Sequence, residues 1–424
     1  MEKPTLVRSL GPISGICLVA GSVIGSGVFL VAADISRSVP SSSMALSVWA
    51  VAGLLSLLGG LTFAELGAMY PGTGGQYVFL REAFGRLPAF LYGWTLFLVI
   101  QSGTIAAVCI AFAKFLSALV PLSSMGQKWA ASTAIILLTL PNLLGVKRGA
   151  ALLDALTSLK ILALLAIAAA GLWASTAAGA GLGPIESISA PAYGVGLIAA
   201  FWAYDGWNNL TFVAGEMKDP QRNIPLSLIV GLVSVTLLYL GANFAYYRVL
   251  PSAAVAAAAF PAADAARALG GESAVLAVGI LVLLSTLGCA NAMVLAGPRV
   301  TYAMAEDGSL PPWLSFVHPH YRVPTNALLA QMAWSVLLVW SGRYDQLFTY
   351  VISAGFIFYG LTGAAVLVLR RTRPDAPRPY RVPLYPFLPW LYVLFCAAFV
   401  LNSFREKPVE SLAGLGIVLL GIPV

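Results

Sequence analysis

The stretch "GSVIGSG" (residues 21–27) interrupts the first long apolar segment of the chain. Three glycines and two serines within seven residues weaken a helix, because Gly costs about 1 kcal/mol relative to Ala inside a helix and Ser adds little helical preference. This stretch has two interpretations. Either the small residues allow a neighbouring helix to pack closely, or the helix is broken at this point.

The composition of the whole chain indicates a membrane protein. Of the 424 residues, 59% are hydrophobic and only 10% are charged, whereas about a quarter of a soluble domain is charged. The mean hydropathy is +0.87. Apolar runs of about 20 residues recur along the chain, and each can cross a hydrocarbon core of about 30 Å. Because lipid offers the backbone no hydrogen bonds, these runs predict an all-α polytopic membrane protein.

Breaks at Pro, Gly and charged residues divide the apolar runs into twelve predicted transmembrane spans. Six lie in the first half of the chain, at 12–35, 43–69, 88–119, 128–145, 150–173 and 194–214. The other six lie at 226–249, 272–303, 325–341, 345–368, 383–403 and 410–424. The last run is short and stops at Val424, which is consistent with a truncated final span. The first run is too long for a cleavable signal peptide.

The distribution of Lys and Arg predicts the orientation. With the N-terminus inside, most of the 24 basic residues lie in cytoplasmic loops. Seven fall on the outer side: Arg37, Lys128, Arg248, Arg267, Arg343, Arg405 and Lys407. This asymmetry follows the positive-inside rule and predicts a multi-pass protein of the cytoplasmic (inner) membrane with its N-terminus inside.

The spacing of the spans indicates an internal repeat. Spans 1 and 6, 3 and 8, and 5 and 10 begin at nearly constant separations, which suggests two repeats of five spans. Since five is odd, the second copy crosses the membrane in the inverted direction, as in many secondary transporters. We expect a first repeat at 1–180, a second at 190–369, and two further spans at 380–424.

Span 6 contains a second interruption at the position that matches the first. It reads "GLIAAFWAYDGWNNLTFVAGE" (residues 196–216) and places Asp205, Gly206, Asn208 and Asn209 in mid-membrane. Discontinuous helices at corresponding positions of the two repeats are typical of a transporter binding site. The pair of interruptions therefore favours broken helices over a small-residue packing face.

A helix broken inside a membrane exposes backbone N–H groups at one end and C=O groups at the other. The N–H end binds anions and the C=O end attracts cations. A zwitterion with carboxylate and ammonium groups a few ångströms apart matches both ends. We expect the N–H groups of Ser26 and Gly27 to bind a carboxylate, and carbonyls near Val23, Trp202 and Asp205 to bind an ammonium.

Four motifs in order carry a resemblance that covers nearly the whole chain. They are "GSVIGSGVF" (21–29), "ELGAMYPGTGGQYVFLREAFG" (65–85), "AYDGWNNLTFVAGEMKDPQRNIPLSL" (203–228) and "RVTYAMAEDGSLPPWLSFVHPHYRVP" (299–324). The chain resembles the amino acid–polyamine–organocation transporters, in particular the L-type amino acid transporter family and its bacterial serine/threonine-exchanger-like members. The resemblance implies a five-plus-five inverted-repeat fold with broken helices 1 and 6. It also implies sodium-independent exchange of neutral L-amino acids by alternating access.

The resemblance also implies site residues and partners. Trp202 falls on the family's aromatic gate and Asn208 on a side-chain selectivity position. The implied substrate-binding set is Val23, Ile24, Gly25, Ser26, Gly27, Trp202, Ala203, Tyr204, Asp205 and Asn208. Animal members that pair with a glycoprotein heavy chain carry a cysteine between spans 3 and 4. Here that loop, "PLSSMGQKW" (121–129), has none, so no disulfide-linked heavy chain is expected.

Lys160 is a charged residue deep inside span 5. A Lys at mid-membrane costs about 2.5–3.5 kcal/mol and normally faces the bundle interior with a partner. The resemblance places its ammonium where sodium-coupled relatives bind a cation, between span 1 carbonyls and span 8 hydroxyls such as Ser285 or Thr286. The alternative is a Lys that extends to the interface, an interpretation that fits Lys114 better.

Asp205 leaves two hypotheses open. It caps the second half of span 6 by accepting free N–H groups, or it pairs with the side chain of a cationic substrate. A proton-coupled symporter with a titrating Lys160 is a further alternative. Glu65 and Glu216 suit either a cytoplasmic gate or a structural role at the interface.

Catalytic and cofactor sites have little support in the sequence. His318 and His320 lack the Cys or carboxylate companions of a metal site, and no nucleotide-binding or hydrolase motif is present. We therefore expect no enzyme activity, no cofactor, no metal and no nucleic-acid partner. A channel would need a continuous polar lining, which these spans lack.

Overall fold

A computed structural model describes residues 5–175, 180–184, 187–341, 344–406 and 408–423. Within these ranges the chain is helical, and its only β-type pairing is an isolated bridge between Leu10 and Met217. Two basic residues predicted on the outer face, Arg343 and Lys407, lie outside the described residues, as does Val424.

The helices follow one another with short connections. In the first half they are α1 (Pro12–Val23), α2 (Gly27–Ser38), α3 (Ser42–Met69), α4 (Gln76–Phe84), α5 (Arg86–Thr95), α6 (Ser102–Leu119), α7 (Ser124–Leu143) and α8 (Val146–Trp173). In the second half they are α9 (Ala190–Tyr204), α10 (Asn209–Phe212), α11 (Pro220–Val249), α12 (Ser252–Ala257), α13 (Pro261–Ala296), α14 (Pro298–Glu306), α15 (Thr325–Ser341), α16 (Tyr344–Thr372), α17 (Phe387–Glu406) and α18 (Pro408–Leu419).

Each of the twelve predicted spans falls on one or more of these helices, which confirms the all-α membrane architecture. Within the part of the chain that the structure describes, seven helices or continuous helical runs are long and apolar enough to cross a membrane by themselves. The pair α1 and α2 passes the same test as one span bent by 45°. The other four predicted spans correspond to α7, α9 with α10, α15 and α18.

Local sequence explains where many of these helices begin. Proline occupies the first turn of α1, α9, α11, α13 and α14, where its missing N–H has no intrahelical partner to lose. Serine side chains at the N-caps of α3, α7 and α9 accept backbone N–H bonds, which satisfies a donor that the helix leaves free.

Two helices differ from the simple spans that hydropathy predicts. Span 8 is preceded by a separate helical segment that begins at Pro261. The non-helical φ/ψ angles of Gly270 and Gly271 divide this segment from the span, which starts near residue 272 as predicted. Span 3 widens into a π-helical turn at Leu96–Gln101 between α5 and α6. The indole of Trp334 donates to the Leu98 carbonyl in this turn at 2.8 Å. Such wide turns are often found at functional sites.

The interior of the bundle surrounds the two interrupted spans. Helix α11 packs against α1, α3 and α8, while α9 packs against α2 and α3. Helix α13 packs against α1, α6 and α8. The breaks in spans 1 and 6 therefore lie among buried helices, and their free backbone groups need partners from the protein or a ligand.

Candidate functional site

Span 1 is broken where the small residues occur. Helix α1 ends at Val23 and α2 begins at Gly27, with Ile24, Gly25 and Ser26 between them. Ser26 is buried and its side chain makes no capping hydrogen bond to α2. The first N–H groups of α2 have no intrahelical acceptor, so the start of α2 provides backbone donors for an anion.

Span 6 is broken in the same way. Helix α9 ends at Tyr204, Asp205 is extended, and α10 begins at Asn209. Gly206 adopts a φ of +101°, a conformation that L side chains rarely adopt. A Cβ at Gly206 would lie 3.2 Å from the Ser22 carbonyl oxygen. Glycine is therefore required both by the backbone angle and by the close approach of span 1.

The two breaks are in direct contact. A Cβ on Gly27 would lie only 2.8 Å from the Cβ of Ala203, so the start of α2 packs on the end of α9 through glycine. The Asn209 amide donates to the Ser22 hydroxyl at 3.3 Å. The N–H end of one half-helix and the C=O end of another consequently lie side by side.

Tyr239 of α11 joins the two half-helix ends. Its hydroxyl lies 3.0 Å from the Val23 carbonyl oxygen and 2.9 Å from the Ala203 carbonyl oxygen. Its side chain is fully buried. Sequence reasoning missed this residue, because a tyrosine within an apolar span carries no signal of the helix ends it will reach.

Lys160 of α8 occupies the carbonyl end of α1. Its ammonium donates to the carbonyl oxygens of Gly21 at 2.8 Å and Ile24 at 2.7 Å, and the side chain is 0% exposed. It therefore lies in the bundle interior and does not extend to the membrane interface. These charge-assisted bonds offset the cost of placing a charge in the membrane.

Helix α13 completes the donors around this end of α1. The Ser285 hydroxyl donates to the Ile24 carbonyl at 3.1 Å and the Gly25 carbonyl at 3.0 Å. The Cys289 thiol donates to the Ser22 carbonyl at 3.1 Å. With Lys160 and Tyr239, every carbonyl from residue 21 to residue 25 has a side-chain donor. Sequence reasoning did not identify Cys289 as part of this site.

Thr286 is not part of this arrangement. Its hydroxyl bonds to the carbonyls of Val282 and Leu283 in its own helix. Of the two span 8 hydroxyls predicted to face Lys160, only that of Ser285 reaches the broken end of span 1.

A second polar cluster lies on the other side of the span 6 break. The Tyr359 hydroxyl of α16 donates to Asp205 Oδ1 at 2.6 Å and lies 3.1 Å from Asn208 Oδ1. The Asn208 amide donates to Gln76 Oε1 at 3.2 Å. Asp205 therefore binds an aromatic hydroxyl of span 10, a role that neither sequence hypothesis included. Tyr359 and Gln76 were also not predicted as site residues.

A cavity of about 30 Å³ lies beside this cluster. Its wall combines aromatic, aliphatic and amide side chains: Gln76, Tyr92, Leu96, Ile100, Phe201, Trp202, Asp205, Asn208, Gly355, Phe356 and Tyr359. A liquid water takes up about 30 Å³, while small-molecule pockets enclose about 300–1,000 Å³. The cavity has polar groups that could orient a ligand, and the protein must open before a ligand can enter.

Ion pairs on the predicted cytoplasmic side join helices that are distant in the sequence. Glu216 and Arg299 form a pair at 2.7 Å with both side chains 0% exposed. Glu65 of α3 pairs with Arg370 of α16 at 2.6 Å and accepts the backbone N–H of Val382. Both glutamates thus belong to networks that connect distant helices at this face.

A third ion pair on the same face contains groups whose pKa values are shifted. Arg81 of α4 lies 2.8 Å from Asp307, and the Tyr77 hydroxyl donates to the same carboxylate. Burial alone would raise the pKa of Asp307, but bonds from Tyr77, Arg81 and Ser309 outweigh it and lower the pKa. Burial, together with the bond to Asp307, raises the pKa of Tyr77 to about 12.

The structure shows no grouping suited to a metal. No cluster of three or more His, Cys, Asp or Glu residues is found among the described residues. The His318 ring accepts the backbone N–H groups of His320 and Tyr321, which accounts for its position in a loop turn.

Sequence comparisons agree with this architecture. A family profile described as "Amino acid permease" matches residues 10–420. The chain is 35% identical to the serine/threonine exchanger SteT of Bacillus subtilis (strain 168), over 100% of this chain and 97% of that protein. It is 32% identical to the b(0,+)-type amino acid transporter 1 of Mus musculus, over 100% of this chain and 88% of that protein. It is 31% identical to the cystine/glutamate transporter of Homo sapiens, over 100% of this chain and 85% of that protein.

Proposed function

Because the chain belongs to the amino acid permease family, we propose that it exchanges neutral L-amino acids across the cytoplasmic membrane by alternating access, without sodium. The observation that carries this proposal is the contact between two broken spans. There the N–H end of α2 lies against the C=O end of α9, with Gly27 packed on Ala203. Bacterial and animal relatives that cover the whole chain are named as amino acid exchangers or transporters.

The backbone groups at the two breaks suit the two charges of an amino acid. The N–H groups of Ser26 and Gly27 at the start of α2 would bind the carboxylate, favoured by the dipole of that helix. Carbonyls near Val23, Trp202 and Asp205 would bind the ammonium. The Val23 carbonyl already accepts from the Tyr239 hydroxyl and from the Gly25 N–H, and a carbonyl oxygen has two lone pairs. An ammonium at Val23 would therefore replace one of these two donors.

The substrate side chain would extend toward the cavity beside Trp202 and Asn208. Ile24, Gly25, Ala203 and Tyr204 would shape the binding site through their backbone, which the breaks expose. Glycine at position 25 would let a substrate approach the main chain closely.

Lys160 supports sodium independence. A sodium ion at the end of α1 would need carbonyl oxygens, and the carbonyls of Gly21 and Ile24 already accept from the amino group of Lys160. Ser285, whose hydroxyl would be a natural sodium ligand, donates to the same segment. The protein thus supplies its own positive charge where a coupling ion would be needed.

Alternating access explains why the cavity is small. With only about 30 Å³ available, a substrate enters after the half-helices and their neighbours move. On the cytoplasmic side, that motion would break or shift ion pairs such as Glu65–Arg370. Arg299–Glu216 is fully buried, and we assign it to the stable part of that face.

The proposal also includes the orientation of the protein in the membrane and its partners. The predicted cytoplasmic location of the N-terminus puts these ion pairs inside the cell, in agreement with the distribution of Lys and Arg. The loop at 121–129 contains no cysteine, and all four cysteines are buried in the described helices. We therefore propose that the protein works without a disulfide-linked heavy chain.

Counterflow in liposomes tests the proposal directly. Purified protein is reconstituted with unlabelled amino acid inside, and uptake of a labelled panel of neutral, cationic and acidic amino acids is measured without sodium. We expect neutral L-amino acids to accumulate transiently and their D-enantiomers to fail. Absence of counterflow for every neutral amino acid would refute the proposed function.

A further inference from the structure

A second pocket lies on the predicted cytoplasmic side, away from the two broken spans. Its volume is about 320 Å³, which is within the range of small-molecule sites. Three separate segments line it: the N-terminal segment before α1, the turn between α7 and α8, and the loop between α14 and α15. None of the described residues that line it is acidic.

The pocket concentrates positive charge that has no counter-charge. Lys147, Arg148 and Arg322 line it, and none of these three forms an ion pair with another residue that the structure describes. Other arginines of the same face are paired, because Arg81 and Arg370 lie 2.8 Å and 2.6 Å from a carboxylate oxygen. Unpaired positive charges that converge from separate segments attract an anion.

The backbone holds the two basic loops together. Gly145, the residue before α8, has a φ of +123°, and a Cβ there would lie 3.7 Å from the Tyr321 carbonyl oxygen. The loop that carries Arg322 is closed by two hydrogen bonds. The Arg322 N–H donates to the His318 carbonyl at 2.9 Å, and the His318 N–H donates to the Val323 carbonyl at 3.0 Å. The positive charges are therefore mounted on packed segments.

Helix α8 adds to this charge because it begins at the pocket. Its first residues, Val146 and Lys147, line the pocket, and its N-cap residue makes no side-chain hydrogen bond. The positive end of the helix dipole and the first N–H groups favour an anion at this point.

Apolar surface leads from the pocket toward the membrane. Leu144 lines the pocket and is exposed. It continues a row of exposed side chains with Leu140 and Ile136 of α7, since residues four apart share one face of a helix. The loop before Tyr321 also exposes Trp313 and Phe316, and aromatic side chains are typical of a membrane interface. The pocket thus lies at the lipid-facing edge of the bundle.

We propose that this pocket binds the phosphate headgroup of an anionic phospholipid of the cytoplasmic leaflet, with the acyl chains lying along α7. Basic pockets between transmembrane helices on this side of a membrane bind anionic headgroups. A zwitterionic lipid such as phosphatidylcholine carries its own positive charge, which Lys147, Arg148 and Arg322 would repel. The inference does not depend on which amino acid the protein exchanges.

Native mass spectrometry of the purified protein in detergent micelles tests this proposal. Dioleoyl phosphatidylglycerol or dioleoyl phosphatidylcholine is titrated, and the fraction of protein that carries one lipid gives an apparent Kd. We expect wild type to bind phosphatidylglycerol at least about tenfold more tightly, since each basic residue near a membrane surface contributes a factor of about five. Equal affinities for the two lipids would overturn the inference without any variant.

Glycerol 1-phosphate separates a lipid site from a site for a soluble anion. It carries the charge of the headgroup and has no acyl chains, so we expect it to bind much more weakly than phosphatidylglycerol. Equal affinity for the two compounds would show that the pocket serves a soluble phosphate compound, and would overturn the assignment to lipid.

The double variant Arg148→Gln/Arg322→Gln locates the binding site. It should weaken phosphatidylglycerol binding at least about tenfold, because two charges are removed. Arg86→Gln/Arg371→Gln is the matched control, since it removes two exposed arginines of the same predicted face that do not line the pocket. Its affinity should be nearly that of wild type, and equal losses in the two double variants would refute the site. Counterflow in phosphatidylcholine vesicles checks that both variants are folded and tests the exchange function separately.

Discussion

Lys160 Nζ lies 2.7 Å from the carbonyl oxygen of Ile24, at the point where span 1 leaves its helix. The bond crosses from span 5 to span 1 and places a full positive charge against the negative end of α1. Removal of the Lys160 side chain should therefore change the conformation of the break and leave the residues that line the cavity in place.

Lys160→Ala should impair transport while the protein still inserts and folds. The Gly21 carbonyl would lose its side-chain donor and the Ile24 carbonyl would keep only Ser285. This loss would destabilise one conformation of the break, so we expect a weaker apparent affinity on one membrane face. Transport by the wild type should not depend on sodium. Lys114→Ala is the control, because Lys114 is exposed near the outer end of span 3. Full activity of Lys160→Ala in sodium-free liposomes would contradict the assignment.

Exchange should dominate over net uptake. If Lys160 stays bound to span 1 throughout the transport cycle, no coupling ion helps the empty transporter to return to its starting conformation. Uptake should then rise strongly when the liposome contains amino acid, and an imposed proton gradient should change it little. Strong uptake into empty liposomes under an inward proton gradient would support a proton symporter, with Lys160 titrating.

Asp205→Asn should transport neutral amino acids at close to the wild-type rate. An amide oxygen can still accept the Tyr359 hydroxyl that now bonds to the carboxylate at 2.6 Å. Arginine should compete poorly with a neutral substrate in wild type. Asp34→Asn, at an exposed carboxylate of α2, controls for loss of a negative charge. Arginine inhibition that disappears only in Asp205→Asn would instead establish cation recognition.

Gly27→Ala should abolish most transport, because its Cβ would lie 2.8 Å from that of Ala203 and force α2 away from α9. The second substitution Ala203→Gly removes one of the clashing carbons and should restore part of the activity. Uptake rates of the two single variants and the double variant, normalised to protein in the vesicles, measure this coupling. The Ala203 Cα, 2.9 Å from the added Cβ, stays in the double variant, so full recovery is not expected. Wild-type transport by Gly27→Ala would show that the close contact is not required.

Glu216→Gln should destabilise the cytoplasmic face. It leaves the Arg299 guanidinium buried without its counter-ion, and breaking a buried ion pair costs about 3–5 kcal/mol. The expected result is a large drop in the detergent-solubilised melting temperature. Asp264→Asn is the comparison, because the Asp264–Arg267 pair is exposed and such pairs contribute at most about 1 kcal/mol. Equal melting temperatures for the two variants would argue against a structural role of Glu216.

The sequence predicted the features that are rare in a membrane. Glycine, serine and asparagine are unusual enough in mid-span to reveal both breaks, and a buried lysine is costly enough to require a partner. The partners themselves depend on tertiary packing. Tyr239, Tyr359 and Cys289 look like ordinary residues of apolar spans, and only the packing of α11, α13 and α16 brings them to the breaks.

The structure also distinguishes two adjacent residues, Ser285 and Thr286, for which the sequence predicts the same role. Ser285 and Thr286 are adjacent hydroxyls, but helical rotation directs Ser285 to span 1 and leaves Thr286 bonded within α13. The π-helical turn at Leu96–Gln101 could not be predicted from the sequence either, because hydropathy does not distinguish a π-helical turn from an α-helical one. The division of the chain into two inverted repeats stays a prediction that the matching breaks support.

The Tyr239 hydroxyl has a single proton and two carbonyl acceptors at nearly equal distances. Neither bond can then reach full strength, but the O–H group can rotate from one acceptor to the other and stay hydrogen-bonded. When α1 and α9 separate, the hydroxyl can follow either helix and keep one bond of normal strength. A movement that separates the two half-helices therefore does not have to break both hydrogen bonds at once.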